Sequence, residues 1–447
     1  MTDLPLRGIR VIDITVVWSG PSACRLLAAL GAEVIRLESI RHFPATSRGQ
    51  VPYPDPDQVA QGRGIRAPYP GKEPGSDPYN RYAPFLVTSQ GKRAATMELD
   101  TAEGRQAFHR LVEISDVLVE NNAHAVSEQL GLTWTDLSPV NPRLVLVNMA
   151  PLGLSGPYVD ALGFGAHFEA LAGIASLRGH PGAAPEDSGS TYHMDDVAIH
   201  GVVFGVLAAL RHRERTGTGQ LIEFPQGEYL MQGFGDVFVA AARDGDSAPP
   251  QGNRHVAWVQ GCYPCRGTDQ WIAITVRGDE DWAAVADVLG EPGWTADPRF
   301  ATALSRREHQ DELDDLLAAV TATWTKRALF LALQRAGVPA GPVNDEADAY
   351  ADPHFEQRGV FREVTHPSAG THLYPSFGVR WSGMTPEWGR PAPLVGQDNE
   401  YVYKTLLGYS DDEYDRLAAE GFIGSTYPGG PPQRAAATGD STADAAS

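Results

Sequence analysis

Between Arg10 and Leu37 the chain reads RVIDITVVWSGPSACRLLAALGAEVIRL. Arg10 to Thr15 is a short apolar run that suits a buried strand. Pro21 to Leu30 carries apolar residues at helical spacing and is stopped by Gly31, and Glu33 to Leu37 forms a second strand pattern. Strand, helix and strand in so short a span read as a parallel βαβ crossover. The alternation continues with strand patterns at Arg93 to Leu99, Val117 to Glu120 and Arg143 to Met149, and a helix pattern at Thr101 to Ser115. These elements predict an α/β fold built on a doubly wound parallel sheet.

Working outward, the segment from Arg41 to Tyr82 is dense in Pro, Gly, Arg and Tyr without a sustained period, which suggests a functional or wrapping loop. Ala198 to Arg213 predicts a strong helix with Arg211, His212 and Arg213 in its last turn, where cations suit the dipole. Gln220 to Phe224 then returns as a strand. A smaller α/β unit is expected over 252–340, with a strand at Trp271 to Val276 and helices around Asp279 to Leu289, Arg307 to Thr321 and Lys326 to Ala336. The expected division is a large domain over 1–225, a linker over 226–251, the small domain, a return segment over 341–424 and a disordered tail over 425–447. The return segment carries two helix patterns, Glu400 to Leu407 and Asp411 to Glu420, and the tail is small, polar and rich in Pro, Gly and Ala.

The chain has 447 residues, with 36 Lys and Arg against 56 Asp and Glu, a formal charge of −20. Such a surface repels polyanions, so nucleic acid is excluded as a first partner and any phosphate must be held locally. Three cysteines, Cys24, Cys262 and Cys265, argue against a disulfide framework and suit a reducing cytoplasm. No apolar run approaches the roughly 20 residues that span a bilayer, and the start lacks a signal-peptide pattern, so no membrane partner is expected. The 47 Gly and 34 Pro residues imply many turns and much irregular chain.

Three features could carry chemistry. The turn from Val16 to Pro21 joins the first strand to the first helix, a position where α/β folds hold phosphates or carboxylates. It lacks both the dinucleotide fingerprint and the phosphate loop, so it reads equally as an ordinary turn with Pro early in the helix. Met194, Asp195 and Asp196 precede the predicted helix from Ala198. One Asp can simply cap that helix, or a carboxylate there can be kept ionised as a nucleophile or base. Cys262 and Cys265 form a lone CxxC without a second pair, which favours two buried thiols, and the 13 histidines show no metal-ligand spacing. No metal and no permanently bound cofactor are expected.

Nearly the whole chain, Leu4 to Ile423, resembles the family III CoA-transferases, which include formyl-CoA transferase, carnitine CoA-transferase and α-methylacyl-CoA racemase. The resemblance rests on ordered segments: LRGIRVIDIT, SGPSACRLLAALGAEVIRLES, GKRAATMELDTAEGR, SDVLVENN, GFGAHFEALAG, VLAALRHRERTGTGQ, QGNRHVAWVQGCYPC, AGVPAGPVND and RPAPLVGQDNE. It implies a Rossmann-like large domain in an interlocked homodimer. It also implies transfer of CoA from an acyl-CoA to a carboxylic acid through anhydride and aspartyl-CoA intermediates on Asp195, or on Asp196 if the register slips by one. By the same resemblance, CoA contacts fall on Val17, Trp18, Ser19, Ser39, Met97 to Asp100, Asn121, Asn122, Gln129, Phe164 and Gly165. Trp18, Ser39, Asn122 and Gln129 depart from the formyl-CoA transferase pattern, which loses two arginines; Arg36, Arg41, Lys92 and Arg93 are the nearest replacements for holding the CoA phosphates.

The racemase branch has a His where Phe164 stands here, so racemisation lacks its partner base. A glycine run that shields the formyl-CoA transferase anhydride corresponds to Arg254 to Trp258, and with Trp18 this suggests a larger, less polar acid. Two further readings are carried: a non-catalytic CoA-binding subunit that forms a heteromer with an active homologue, and an acyl-CoA racemase or isomerase.

Overall fold

The computed structural model describes residues 4–62, 68–184, 187, 193–246 and 249–430. The chain divides into two compact units, one built from 1–172, 192–233 and 359–447 and the other from 173–191 and 234–358. The second unit thus begins at Phe234, ends at Arg358 and also takes 173–191, a stretch that composition had assigned to the large domain.

The first unit is organised on six parallel strands: β1 (Arg10–Asp13), β2 (Glu33–Glu38), β3 (Arg93–Thr96), β4 (Val117–Glu120), β5 (Val145–Asn148) and β6 (Gln220–Glu223). Their spatial order is β3-β2-β1-β4-β5-β6, with every neighbouring pair parallel. Order reverses between β1 and β4. In open α/β sheets the crevice beyond the carboxyl ends at that reversal is where ligands bind.

Both faces of this sheet are covered, which explains why β4 and β5 are buried at every residue rather than alternating. One face packs under α1 (Ser19–Ala29) and a later helix, His193–Thr216, joined through Ala23, Leu27, Val119, Val147, Ala198, Val202 and Val206. The other packs under α2 (Ala102–Glu113) and the chain's return segment, through Phe108, Leu111, Leu146, Tyr403 and Leu417. Each such fully buried Leu, Val or Phe contributes about 1.5–3 kcal/mol relative to an exposed one.

A network of ion pairs runs through this core. Asp13 lies opposite Arg36 in the β1–β2 register. Arg36 is 3.6 Å from Asp13 and 3.0 Å from Glu38, Lys92 Nζ is 2.7 Å from Asp13, and Arg48 Nη2 is 2.7 Å from Glu38. Burial alone would raise the Asp13 carboxyl, but Lys92 and Arg36 more than offset it and hold it below its ordinary value. Against the same burial, Arg48 and Arg36 bring Glu38 down to about 2.

Several elements differ from the sequence expectation. The segment from Arg41 to Tyr82 packs within its own unit: Arg48, Tyr69, Tyr79 and Tyr82 are buried, and Arg48 also lies over the Phe85 ring at 3.7 Å. Its apolar rings and one guanidinium supply the anchors that a periodic pattern would otherwise reveal. The helix expected from Arg307 is broken at His309 into Ala303–Glu308 and Gln310–Thr321, the first opened by Thr302 and Ser305 in a capping box. The turn expected as the first of two final helices is π-wound over Tyr401–Leu406. Of the tail, Tyr427 is only 2% exposed and packs against Phe43 and Tyr79; residues 431–447 lie outside the described residues. The helix over His193–Thr216 has 24 residues and is, by length and composition, long and apolar enough to cross a membrane; half of its most apolar 18-residue window is buried in the protein. It begins five residues earlier than its apolar pattern suggested.

The second unit has an antiparallel sheet of β7 (Val259–Pro264), β8 (Trp271–Val276) and β9 (Ala340–Val343). Helices including Asp279–Val288 and Lys326–Arg335 cover it through Trp282, Val285, Leu329 and Leu333. Cys262 and Cys265 are free thiols at the end of β7, each raised by burial above the ordinary thiol value.

Candidate active site

The turn after β1 is held in a strained form. Val17 has φ +68°, a left-handed conformation that a β-branched residue adopts at a cost of about 1–3 kcal/mol. Three contacts fix it. The Asn121 side chain, just beyond β4, accepts from Val16 N at 2.7 Å and donates to Val16 O at 2.9 Å, and Ser47 Oγ accepts from Val17 N at 2.8 Å. Thr15 packs so close to Gly20 that a Cβ there would meet its side chain at 2.6 Å. The topological reversal between β1 and β4 is therefore bridged by Asn121, and the first turn of α1 starts from a locked position.

Against that first turn stands Asp195. It lies in the first turn of the helix His193–Thr216, whose Met194 N donates to the buried carboxylate of Glu169 at 2.7 Å. The Ser19 hydroxyl lies near the Asp195 carboxylate and favours its ionised form. Gly165, at the start of α3 (Gly165–Leu171), abuts it so closely that a Cβ would come within 2.7 Å of Asp195 Oδ2. Burial raises the Asp195 carboxyl to about 6; Ser19 opposes the rise, while Asp196 and Glu169 add to it. The neighbouring Asp196 is exposed, and its backbone oxygen is bonded by His200 Nδ1 at 3.2 Å.

Ser19 also reaches Gln226 Oε1 at 3.1 Å, and Gln226 Nε2 donates to Met149 O at 2.8 Å. The one hydroxyl proton of Ser19 is donated to Gln226, so serving the ionised Asp195 carboxylate as a donor would require the hydroxyl to turn. Gln226 and Glu169 were not singled out from sequence. Gln226 is 207 residues from Ser19, and no local pattern links the two.

The remaining expected contacts are scattered in role. Trp18 is half-buried immediately before α1, and Ser39 Oγ donates to Glu98 at 2.5 Å. Met97 belongs to the apolar core, Asn122 bonds Glu120, and Gln129 is exposed on the short helix His124–Leu130. Phe164 is 59% exposed. The basic residues expected to meet phosphates are committed elsewhere. Arg36 and Lys92 are buried in the ion-pair network of the core, because the strand register sets Asp13 beside them. Arg93 pairs with Glu33 at 3.1 Å and Asp398 at 2.7 Å, and Arg41 donates to the Glu420 and Gly421 carbonyls and stacks on Phe422.

A half-buried carboxylate that loses its proton near pH 6, with a hydroxyl nearby and a glycine against its oxygens, is equipped as a nucleophile or a base. Residues 6–399 match the family model described as CoA-transferase family III. The chain is 33% identical over 426 residues to the probable CoA-transferase Rv1866 of Mycobacterium tuberculosis, covering 93% of this chain and 50% of the relative, so it spans about half that relative's length. It is 31% identical over 426 residues to the succinyl-CoA–D-citramalate CoA-transferase of Chloroflexus aurantiacus, covering 94% and 98% of the two chains. It is 28% identical over 442 residues to a formyl-CoA:oxalate CoA-transferase of Escherichia coli, covering 92% and 97%. Among solved structures, a CAIB/BAIF family protein from Brucella suis superposes with a TM-score of 0.77 at 26% identity, covering 90% of this chain and 100% of that one.

Proposed function

Since the chain belongs to CoA-transferase family III, we propose that it moves coenzyme A from an acyl-CoA to a free carboxylic acid with Asp195 as the covalent nucleophile. The observation that carries this reading is the Asp195 carboxylate itself, half-enclosed between Ser19 and Gly165 while Asp196 is exposed.

In this reading the ionised Asp195 attacks the thioester carbonyl and expels CoA thiolate, leaving a mixed anhydride. The thiolate attacks the aspartyl carbonyl, releasing the donor acid as its carboxylate and forming an aspartyl thioester. The acceptor carboxylate displaces the thiolate to give a second anhydride, and the thiolate then attacks its acyl carbonyl. That last step yields the new acyl-CoA and restores Asp195. No proton is consumed, so the enzyme needs an ionised carboxylate and donors for developing oxyanions rather than a strong base. The residue before Gly165 is Phe164 rather than a histidine, which favours transfer over two-base racemisation.

CoA itself would lie along Val17, Trp18, Ser39, Met97, Asn121, Asn122 and Gln129, held mainly through backbone groups. The interlocked homodimer belongs to the same reading. It is supported by large apolar side chains on this unit's surface, Leu162 at 81% and Phe204 at 73% exposed.

Mass spectrometry after incubation with an acyl-CoA and quenching in hydroxylamine should find a hydroxamate on Asp195, and Asp195→Ala should abolish exchange. Full exchange by Asp195→Ala would sink the proposal. A panel of acyl-CoAs and acids read by the same instrument identifies the pair used.

A further inference from the structure

Glu120 is the last residue of β4, at the carboxyl end of the sheet beside the reversal of strand order, and it is fully buried. Among the described residues no cation sets its ionisation; its partners are neutral donors. Oε2 accepts from Asn122 N at 2.9 Å, Asn122 Nδ2 at 3.1 Å and Ser127 Oγ at 2.9 Å, and Oε1 accepts from the Asn148 side-chain amide. Asn148 stands opposite Glu120 in the β4–β5 register, and its own Oδ1 accepts from Ala150 N at 2.9 Å. Burial raises the Glu120 carboxyl above its ordinary value, and these donors oppose the rise.

The bonds of this one carboxylate close two loops, the one leaving β4 and the one leaving β5, and each loop leads to Ser19. In the first, the bond to Asn122 N sets the peptide that follows Asn121. The Asn121 side chain then brackets Val16 at both N and O, and α1 opens at Ser19 three residues on. In the second, Met149 lies between Asn148 and Ala150. Its carbonyl accepts from Gln226 Nε2 at 2.8 Å, and Gln226 Oε1 accepts from the Ser19 hydroxyl at 3.1 Å.

We propose that Glu120 is a positioning residue for the Asp195 chemistry: without touching a reactant, it holds the ends of β4 and β5 together and so fixes Ser19 from two sides beside Asp195. This rests on Asp195 as the nucleophile. An ionised carboxylate suits the place because every group that meets it is a donor. Asn148 cannot turn its amide without losing Ala150 N, and Asn122 N is backbone. A glutamine in place of Glu120 would set an N–H against one or the other, so one loop would lose its tie.

Two measurements on the full chain test this: deuterium exchange over residues 15–20, and the rate at which Asp195 is labelled when the acyl-CoA chosen by the exchange panel is quenched in hydroxylamine at timed intervals. In Glu120→Gln, exchange over 15–20 should be about tenfold faster and labelling per folded enzyme about tenfold slower. Ser127→Ala removes one bond from the same carboxylate but leaves both loops tied, and should move neither by more than about twofold. Unchanged exchange over 15–20 in Glu120→Gln overturns the proposal. Equal effects in Ser127→Ala also overturn it, because Glu120 would then support the fold alone. If Glu120→Gln fails to fold, Glu120→Asp decides: it keeps the charge and withdraws the acceptors by one bond, and wild-type exchange and labelling there overturn the proposal. A wild type that is not labelled at Asp195 refutes the nucleophile by itself, and the exchange comparison still decides whether Glu120 holds the turn.

Discussion

Asp13 and Asp195 are two carboxylates in the same unit, and their environments oppose each other. Asp13 is fully buried, yet Lys92 at 2.7 Å and Arg36 at 3.6 Å keep its carboxyl below the ordinary value. Asp195 is less buried, faces a hydroxyl, a glycine and two further carboxylates, and is raised to about 6. Burial by itself raises both. What separates them is pairing: a carboxylate that has spent its charge on cations stabilises the fold, and one denied a cation keeps a reactive lone pair.

That contrast can be broken most severely at the paired end. Lys92→Met strands Asp13 in the core and should cost about 3–5 kcal/mol in denaturant unfolding; a loss under about 1 kcal/mol would show the network to be dispensable. The next effect is on stability against pH. Asp195 binds its proton more tightly folded than unfolded, so its contribution is fully present below pH 3.8 and is lost as pH rises through about 6. Relative to Asp195→Asn, the wild type should lose up to about 3 kcal/mol across that window. Asp13, lowered in the fold, runs the other way, losing its contribution on acidification. Melting curves at a series of pH values read both, and a flat difference for Asp195 would refute the contrast.

Two smaller changes sharpen it. Gly165→Ala puts a Cβ within 2.7 Å of Asp195 Oδ2, and the displaced carboxylate should lower kcat about 10–100-fold with the melting temperature nearly unchanged. Steady-state rates at wild-type level would mean that the carboxylate moves freely. Ser19→Ala removes a hydroxyl that favours the ionised form, so the acidic limb of the pH–rate profile, expected near 6, should move up by about one unit. A downward shift would assign the Ser19 hydroxyl to the protonated state.

The sheet was readable because strand and helix periods are local. The stretch from Arg10 to Leu37 names β1, α1 and β2 to within a few residues, and β4 and the strand Trp271–Val276 coincide with their sequence bounds. The start of the helix carrying Asp195 was misjudged because its first turn, His193 to Asp196, is mostly polar and falls outside the apolar stripe that signals a helix. That Arg36 and Lys92 sit in core ion pairs was not legible, for a different reason. Arg36 and Glu38 are two apart on one strand and so share a face, but that this face turns inward onto Asp13, Lys92 and Arg48 is a product of strand register and of the long segment folding back.

By itself the sequence determined the parallel αβ order, the family and the pair of carboxylates in which a nucleophile was to be sought, because these depend on residue type, spacing and ordered motifs along one chain. Only the tertiary structure decided which of Asp195 and Asp196 is enclosed, that Ser19, Gly165 and Gln226 gather around the former, and which cations are already spent. Those outcomes depend on distances between residues far apart in the chain, and the ionisation of each group follows the partners that folding brings to it.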